Sequence, residues 1–158
     1  MIMPHIHDKI DFTVEVYIVY RNRVLLRKHD KYKIWLSIGG HIELDEDPLE
    51  AAVREVKEEV GLDIKIIDDL LKFRKHDVNY KELIPPKFMN RHRINENHEH
   101  ISLVYFATTN SDKLMLSITE KSEECKWFSI DELDDSSYGI NDNVRFYAKQ
   151  ALEELINR

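Results

Sequence analysis

Several features are scarce in this chain, and each absence excludes a class of protein. Its 158 residues include a single cysteine, Cys125, which cannot form an internal disulfide and is expected to be a buried structural thiol. No apolar run approaches the roughly 18 residues that span a bilayer, and the amino-terminal MIMPHIHDKI lacks the apolar region of a secretory signal. We therefore expect a cytoplasmic protein that does not associate with membranes.

An excess of basic residues is also missing. The chain has 30 acidic and 23 basic residues, which gives a formal net charge of −7. Proteins that bind duplex nucleic acid or anionic membranes carry a basic surface, so we expect neither activity here. The length suits one domain with one core, and no linker, repeat or low-complexity tract divides residues 1–158.

The most informative segment that is present is a predicted helix with clear signals at both ends. Asp47 is a suitable N-cap, Pro48 suits the first helical position, and Glu50 follows the cap by three residues. Gly61 favours the left-handed conformation at the helix end. The apolar residues of the segment recur at helical spacing and are expected to face a core: Leu49, Ala52, Val53, Val56 and Val60.

Three glutamates of this helix, Glu55, Glu58 and Glu59, fall within an arc of roughly 100° on a flank distinct from the apolar stripe. Like charges at these spacings repel one another. Arg54 can reach Glu58 or the preceding loop at Glu46, but one guanidinium cannot neutralise four carboxylates. A hard dication can, and clustered carboxylates suit Mg²⁺ or Mn²⁺ far better than zinc.

The wider spacing around these glutamates matches a known motif. Residues 40–62 read GHIELDEDPLEAAVREVKEEVGL and fit the pattern G-x5-E-x7-R-E-U-x-E-E-x-G-U, where U is aliphatic. The fixed positions are Gly40, Glu46, Arg54, Glu55, Val56, Glu58, Glu59, Gly61 and Leu62. The segment resembles the Nudix box, which is far more specific than a short glycine pattern.

The resemblance implies a fold and a reaction. Nudix proteins are α/β proteins in which a mixed, partly open β-sheet lies between α-helices. Their enzymes hydrolyse a pyrophosphate bond in a nucleoside diphosphate linked to another group, by attack of water at phosphorus. A small nucleotide diphosphate derivative is therefore the expected partner, and a homodimer is a further expectation because dimers are common among relatives.

The resemblance also implies roles for the residues of the box. Glu55, Glu58, Glu59 and the carbonyl of Gly40 are the expected ligands of one to three Mg²⁺ or Mn²⁺ ions. The expected braces between loop and helix are Glu46 and Arg54, and Arg54 also belongs to the expected catalytic set.

The proton acceptor for the attacking water stays open at this point. Glu58 or Glu55 can serve, provided that its carboxylate is not fully used as a ligand. Relatives often add a carboxylate just before a strand of the form W-F-x-x-D-E-L, which residues 127–133 match. Glu120 is favoured narrowly over Glu123 in that position.

Residues 72–100 form a long connection for so small a domain, and long connections are usually functional or disordered. In one interpretation this is a substrate-specificity loop or a dimer arm, in which Arg91 or Arg93 grips a phosphate and His92 contacts a base or sugar. In another interpretation it is a flexible polar loop.

A third interpretation of the same segment is an accessory metal site at His98, Glu99 and His100. If these residues lie on a strand, His98 and His100 share one face and Glu99 points away, so at most two can converge. His41, beside Gly40, is expected to be a solvated loop histidine.

The remaining chain predicts strands at 12–20, 23–29, 34–38, 63–73, 101–108 and 124–129, and a closing amphipathic helix at 143–157. Two rival functions share the fold. Non-catalytic Nudix-fold modules that sense nucleotides commonly have eroded box glutamates, which are intact here. A Nudix-fold isomerase of isopentenyl diphosphate needs an additional cysteine and glutamate, and Cys125 is poorly placed for that role.

Overall fold

The computed structural model describes residues 6–116 and 122–156. The chain opens with a hairpin of β1 (Ile10–Tyr20) and β2 (Arg23–His29), as predicted. Its two-residue turn, Arg21-Asn22, has positive φ angles of 45° and 60°. Tight hairpins favour this backbone because its twist matches that of the flanking strands.

The other elements follow in chain order. The strands are β3 (Trp35–Leu36), β4 (Ile38–His41), β5 (Ile64–Ile66), β6 (His76–Asp77), β7 (Tyr80–Lys81), β8 (Phe88–Asn95), β9 (His98–Thr109) and β10 (Ser122–Phe128). The helices are α1 (Pro48–Val60), α2 (Ile130–Leu133) and α3 (Asp142–Leu155), with a 3₁₀ turn at Ser136–Tyr138. The helix predicted within the motif at 40–62 is present as α1, and the predicted closing helix is present as α3.

The main sheet of the described residues is mixed. β1 and β9 run parallel, with Asp11 opposite His100 and Val19 opposite Thr108, whereas the other pairings are antiparallel. One half of the sheet has the order β10-β2-β1-β9-β5. In the other half, β4 pairs with β1 and β8 pairs with β9, so four strands lie side by side in the order β4-β1-β9-β8.

Successive side chains of β1 point to opposite faces of the sheet, and each face has its own hydrophobic core. Val14, Val16 and Ile18 pack with the buried residues of α1. Tyr17 and Val19 point the other way and pack with the apolar face of α3. The predicted α/β/α layering, a mixed sheet between helices, is therefore confirmed. Within residues 6–116 and 122–156, none of the helices is both long and apolar enough to cross a membrane.

One strand prediction was wrong, and so was one of the three interpretations of residues 72–100. The strand predicted at 63–73 ends at Ile66, because the chain leaves the sheet and turns with the Leu71 N–H bonded to the Asp68 carbonyl. The connection at 72–100 is not a flexible polar loop, since it contains the β6–β7 pair, the edge strand β8 and the start of β9. Most β8 side chains beyond Phe88 are exposed, so this edge strand lacks the apolar alternation that marks a strand in sequence.

Candidate functional site

Both ends of α1 are fixed as the sequence indicates. The Asp47 carboxylate accepts hydrogen bonds from the N–H groups of Leu49 and Glu50, at 2.8 and 3.0 Å, and the Glu50 carboxylate accepts one from the Asp47 N–H. Gly61 ends the helix at a φ of 72°, in the left-handed region. One core prediction was wrong: Val53 is 48% exposed, and Ala51 is buried instead.

Glu55 lies between α1 and β4 and is buried, although it carries a carboxylate. A Cβ atom placed on Gly40 would be 2.5 Å from the Glu55 Oε1 atom. Any larger residue at this position would require the Glu55 carboxylate to move. Gly40, the first fixed position of the motif, is therefore in direct contact with the carboxylate of a predicted metal ligand.

Arg54 connects the loop before α1, the end of β4 and the helix. Its guanidinium contacts Glu46 in a two-pronged ion pair, with Nε–Oε2 at 2.9 Å and Nη2–Oε1 at 2.6 Å, and Nη2 also donates to the His41 carbonyl at 3.0 Å. The other arm, Nη1, lies 2.9 Å from Glu55 and 3.1 Å from Glu58. The hydrogen bond from Arg54 lowers the pKa of Glu46. This geometry is what a brace requires.

Glu59 and Glu58 differ in exposure. Glu59 is buried, with its Oε2 atom 3.2 Å from Nε of Arg27, and the same Nε lies 3.3 Å from the Ser37 carbonyl oxygen. Glu58 has 52% of its side chain exposed. The flank thus offers two buried carboxylates and one that is open to water. Together with the Gly40 carbonyl these oxygen donors suit a hard dication such as Mg²⁺ or Mn²⁺.

Other sequence-predicted residues fall outside this cluster. Glu120 lies outside the described residues, and Glu123 belongs to β10 but its side chain is not described. Cys125 is partly buried beside this region, and burial raises the pKa of its thiol to about 11. A thiol that is protonated at neutral pH is a poor nucleophile.

Arg91, His92 and Arg93 lie on β8, where consecutive side chains alternate between the faces of the sheet. Arg91 is exposed and forms an ion pair with Glu99, while His92 points to the opposite face and contacts the ring of His100. The structure therefore does not bring the three residues to one surface. β1 and β9 separate β8 from β4, so β8 lies roughly 14 Å across the sheet from Gly40, at 4.7–4.9 Å per strand. The row of Gly40 meets β8 at Met89, and both arginines lie further along the strand.

A second polar cluster lies on the sheet face opposite α1, and the sequence alone did not assemble it. We call it the histidine cluster, and it consists of Asp11, His41, His92, His98 and His100. His98 and His100 share a face, as alternation requires. The prediction for His41 was wrong, because it ends β4 with only 16% of its side chain exposed. The sequence signal was the His-x-His spacing at 98–100, but Asp11 comes from a distant strand.

Comparisons with known proteins agree with this geometry. The NUDIX domain model matches residues 11–150. A crystal structure of a NUDIX-family hydrolase from Clostridium perfringens is 38% identical, with a TM-score of 0.78, and covers 92% of this chain and 97% of that one. The fold and the helix-borne glutamates define a Nudix-fold protein. The chain belongs to the NUDIX family.

Two further relatives are more distant or more partial. A dihydroneopterin triphosphate diphosphatase from Haemophilus influenzae is 48% identical over 52 residues, which cover 32% of this chain and only 33% of that relative's length. A bifunctional NMN adenylyltransferase/ADP-ribose pyrophosphatase from Francisella tularensis, complexed with AMP and a Mn ion, is 16% identical, with a TM-score of 0.62. The match covers 94% of this chain and 43% of that one, and at this identity it shows the fold alone.

Proposed function

We propose that the protein is a Mg²⁺- or Mn²⁺-dependent hydrolase that splits a pyrophosphate bond in a nucleoside diphosphate derivative. The observation that carries this proposal is the packing of the Glu55 carboxylate against Gly40, so close that a Cβ atom there would lie 2.5 Å from its Oε1 atom. Glu55, Glu58, Glu59 and the Gly40 carbonyl are the proposed ligands of one to three ions. Bound there, the metal would offset the negative charge of the pyrophosphate and lower the pKa of a coordinated water.

The residues around the proposed metal site have separate proposed roles. Arg54 holds Glu55, Glu46 and the end of β4 in one hydrogen-bonded unit, so the ligands are oriented before substrate arrives. Glu58 is the most exposed of the three glutamates. Among the described residues it is therefore our first choice for the group that accepts the proton of the attacking water, and Glu55 is the second. Glu120 is the proposed alternative base outside the described residues.

The substrate is proposed only by class. Arg91 and Arg93, on the α1 side of β8, stand far enough from Gly40 to contact the distal part of an elongated substrate, whereas His92 faces away from it. The similarity to a dihydroneopterin triphosphate diphosphatase over 52 residues adds a pterin triphosphate to the candidates. Nucleoside triphosphates, nucleotide sugars, ADP-ribose, dinucleoside polyphosphates and oxidised nucleotides complete the set.

The test is a turnover assay of the purified protein with Mg²⁺ against this panel, with release of phosphate, pyrophosphate or a monophosphate as the readout. We expect metal-dependent turnover of at least one substrate, and chelation with EDTA should abolish it. Tight binding without turnover across the panel would instead support a nucleotide-sensing module. Alanine variants of Glu120 and Glu123 then test the base, since its loss should lower kcat by several orders of magnitude and a threefold loss at Glu120 rejects that residue.

A further inference from the structure

The histidine cluster is assembled by strand register. Asp11 of β1 lies opposite His100 of β9, and His100 lies opposite His92 of β8. His98 precedes His100 by two residues and therefore shares its face. Along β4, Gly40 faces α1 while the next residue, His41, points to the cluster. The cluster thus lies on the far side of the sheet from the glutamates of α1.

Asp11 is the centre of this cluster. Its side chain has no solvent exposure, and it accepts hydrogen bonds from the N–H groups of His7 and Ile6 at 2.6 and 3.2 Å. A carboxylate that is removed from water is stable only when hydrogen bonds and positive charge surround it. Two imidazole nitrogens lie close to this carboxylate: Nε2 of His41 and Nε2 of His98 are each 3.3 Å from Oδ2 of Asp11.

The orientation of His98 is that of a metal ligand. Its Nδ1 atom lies 3.3 Å from the carbonyl oxygen of Asp8, and a carbonyl can only accept a hydrogen bond. A proton on Nδ1 would satisfy that carbonyl, and Nε2 is the ring nitrogen that faces Asp11, 3.3 Å from its Oδ2 atom. Metal-bound histidines use this arrangement, in which an outer carbonyl fixes the tautomer and orients the ring.

The spacing also fits an ion. Two ligands bound at 2.0–2.1 Å to a tetrahedral Zn²⁺ lie about 3.3 to 3.4 Å apart. The measured distance from Asp11 Oδ2 to His98 Nε2 is 3.3 Å, and one ligand atom from each of Asp11, His98 and His100 falls within 4.8 Å of the others. Small side-chain movements would bring all three to one ion.

We propose that Asp11, His98 and His100 form a second metal site, which takes an imidazole-preferring divalent ion of the Zn²⁺ class. Two imidazoles and one carboxylate are a donor set that suits Zn²⁺, whereas the all-oxygen set on α1 suits Mg²⁺. The fourth position is left for water or for His41, which already lies beside Asp11. The ion would fasten the start of β1 to the start of β9, next to the strand that carries Gly40.

The experiment is a titration of Zn²⁺ into full-length protein in excess Mg²⁺, which should occupy the proposed glutamate site. Bound metal is counted by mass spectrometry, and Co²⁺ is used in parallel because its visible absorption separates tetrahedral from octahedral sites. We compare wild type with His98→Gln and His100→Gln. The matched control is His76→Gln, which changes an exposed histidine in the separate β6–β7 pair.

Wild type and His76→Gln should bind one Zn²⁺ and gain unfolding temperature with it, since an ion that binds only the folded state stabilises it. His98→Gln and His100→Gln should each weaken Zn²⁺ binding by at least about a hundredfold, because even outer-shell changes cost 10- to 100-fold. Circular dichroism checks folding, and if the buried His98→Gln variant fails to fold, the partly buried His100 position decides. Equal Zn²⁺ binding by all four proteins, or none by wild type, overturns the site.

The result is separable from the proposed hydrolysis. A Glu58→Gln variant changes only the α1 face and should keep the bound Zn²⁺. Loss of Zn²⁺ from that variant would place the ion in the glutamate site and overturn the second site, whatever the activity assay shows.

Discussion

Two polar clusters lie on opposite faces of the same strands, and they differ in how they compensate buried carboxylates. On the α1 face, carboxylates outnumber the cations, since Arg27 and Arg54 are the cations paired with four carboxylates: Glu46, Glu55, Glu58 and Glu59. On the other face a single carboxylate, Asp11, is surrounded by imidazoles. The first arrangement has carboxylate oxygens to spare for a hard ion, whereas the second offers ring nitrogens to a softer one.

The two clusters also meet at one point of the chain. Gly40 and His41 are consecutive on β4, and one faces each cluster. The His41 carbonyl accepts from Arg54, so the main chain of a histidine-cluster residue is part of the brace on the α1 face. β4 is therefore one route by which a change on one face can affect the other.

The largest effect should come from neutralising an α1 glutamate. Glu58→Gln keeps the size of the side chain and removes the charge, so loss of a proton acceptor should lower kcat by roughly a hundredfold to ten-thousandfold. The measurement is steady-state kinetics on whichever panel substrate is turned over. Glu153→Gln, an exposed glutamate of α3, is the control and should behave like wild type. A loss below threefold at Glu58 would remove it from the catalytic set.

A smaller effect is expected from Gly40→Ala. The added methyl group would meet the Glu55 carboxylate at 2.5 Å and displace it, and a misplacement near 1 Å can cost about a hundredfold in rate. The control is Gly139→Ala, where nothing lies within 4 Å of the new methyl group but φ is +62°. That control should cost about 1 to 2 kcal/mol of stability and leave kcat unchanged. Equal kcat for both variants would contradict the steric role of Gly40.

The clusters differ as well in how far they could be predicted from sequence. The α1 site is local: cap, glutamates and C-terminal glycine lie within residues 40–62, and helical periodicity alone places Glu55, Glu58 and Glu59 on one flank. The histidine cluster depends on register, because Asp11 meets His100 only after β1 and β9 pair in parallel. Alternation correctly separated Glu99 from its two neighbours, but no pattern in the chain indicated which distant residue would join them.

The predictions that were wrong failed for the same reason, which is their dependence on long-range packing. β8 is an edge strand with mostly exposed side chains, so it reads as a loop until its pairing with β9 is known. Val53 satisfies helical spacing, yet it is 48% exposed once α1 packs on the sheet. Local rules thus predicted the helix and its chemistry, whereas long-range pairing decided the edges of the fold.

A stability effect on the other face should follow from Thr13→Val. The Thr13 and Ser102 hydroxyls are buried and 2.6 Å apart, next to the histidine cluster on β1 and β9. Loss of one hydroxyl leaves the other without this hydrogen bond, at about 1 to 3 kcal/mol. Urea unfolding measures the cost, and Thr109→Val, which removes an exposed hydrogen bond to the Asp63 carbonyl, is the control. The double variant Thr13→Val/Ser102→Ala should cost less than the sum of the single changes, and strict additivity would contradict a direct bond.

The smallest effect should lie far from both clusters, at the capping box of α2. Hydrogen bonds from the Ser129 N–H and from Lys126 lower the pKa of Glu132 to about 2, below its ordinary value of 4.5. Because the folded-state pKa is depressed, the charge stabilises the fold above pH 4.5, and this contribution is lost as the pH falls toward 2. Glu132→Gln should therefore be less stable than wild type at pH 7, by about 0.5 kcal/mol since the ion pair is solvent-exposed, and the difference should shrink on acidification. Urea unfolding at several pH values measures the difference. The kcat of Glu132→Gln should equal that of wild type. A difference that grows toward low pH would show that the carboxylate is not stabilised in its charged form.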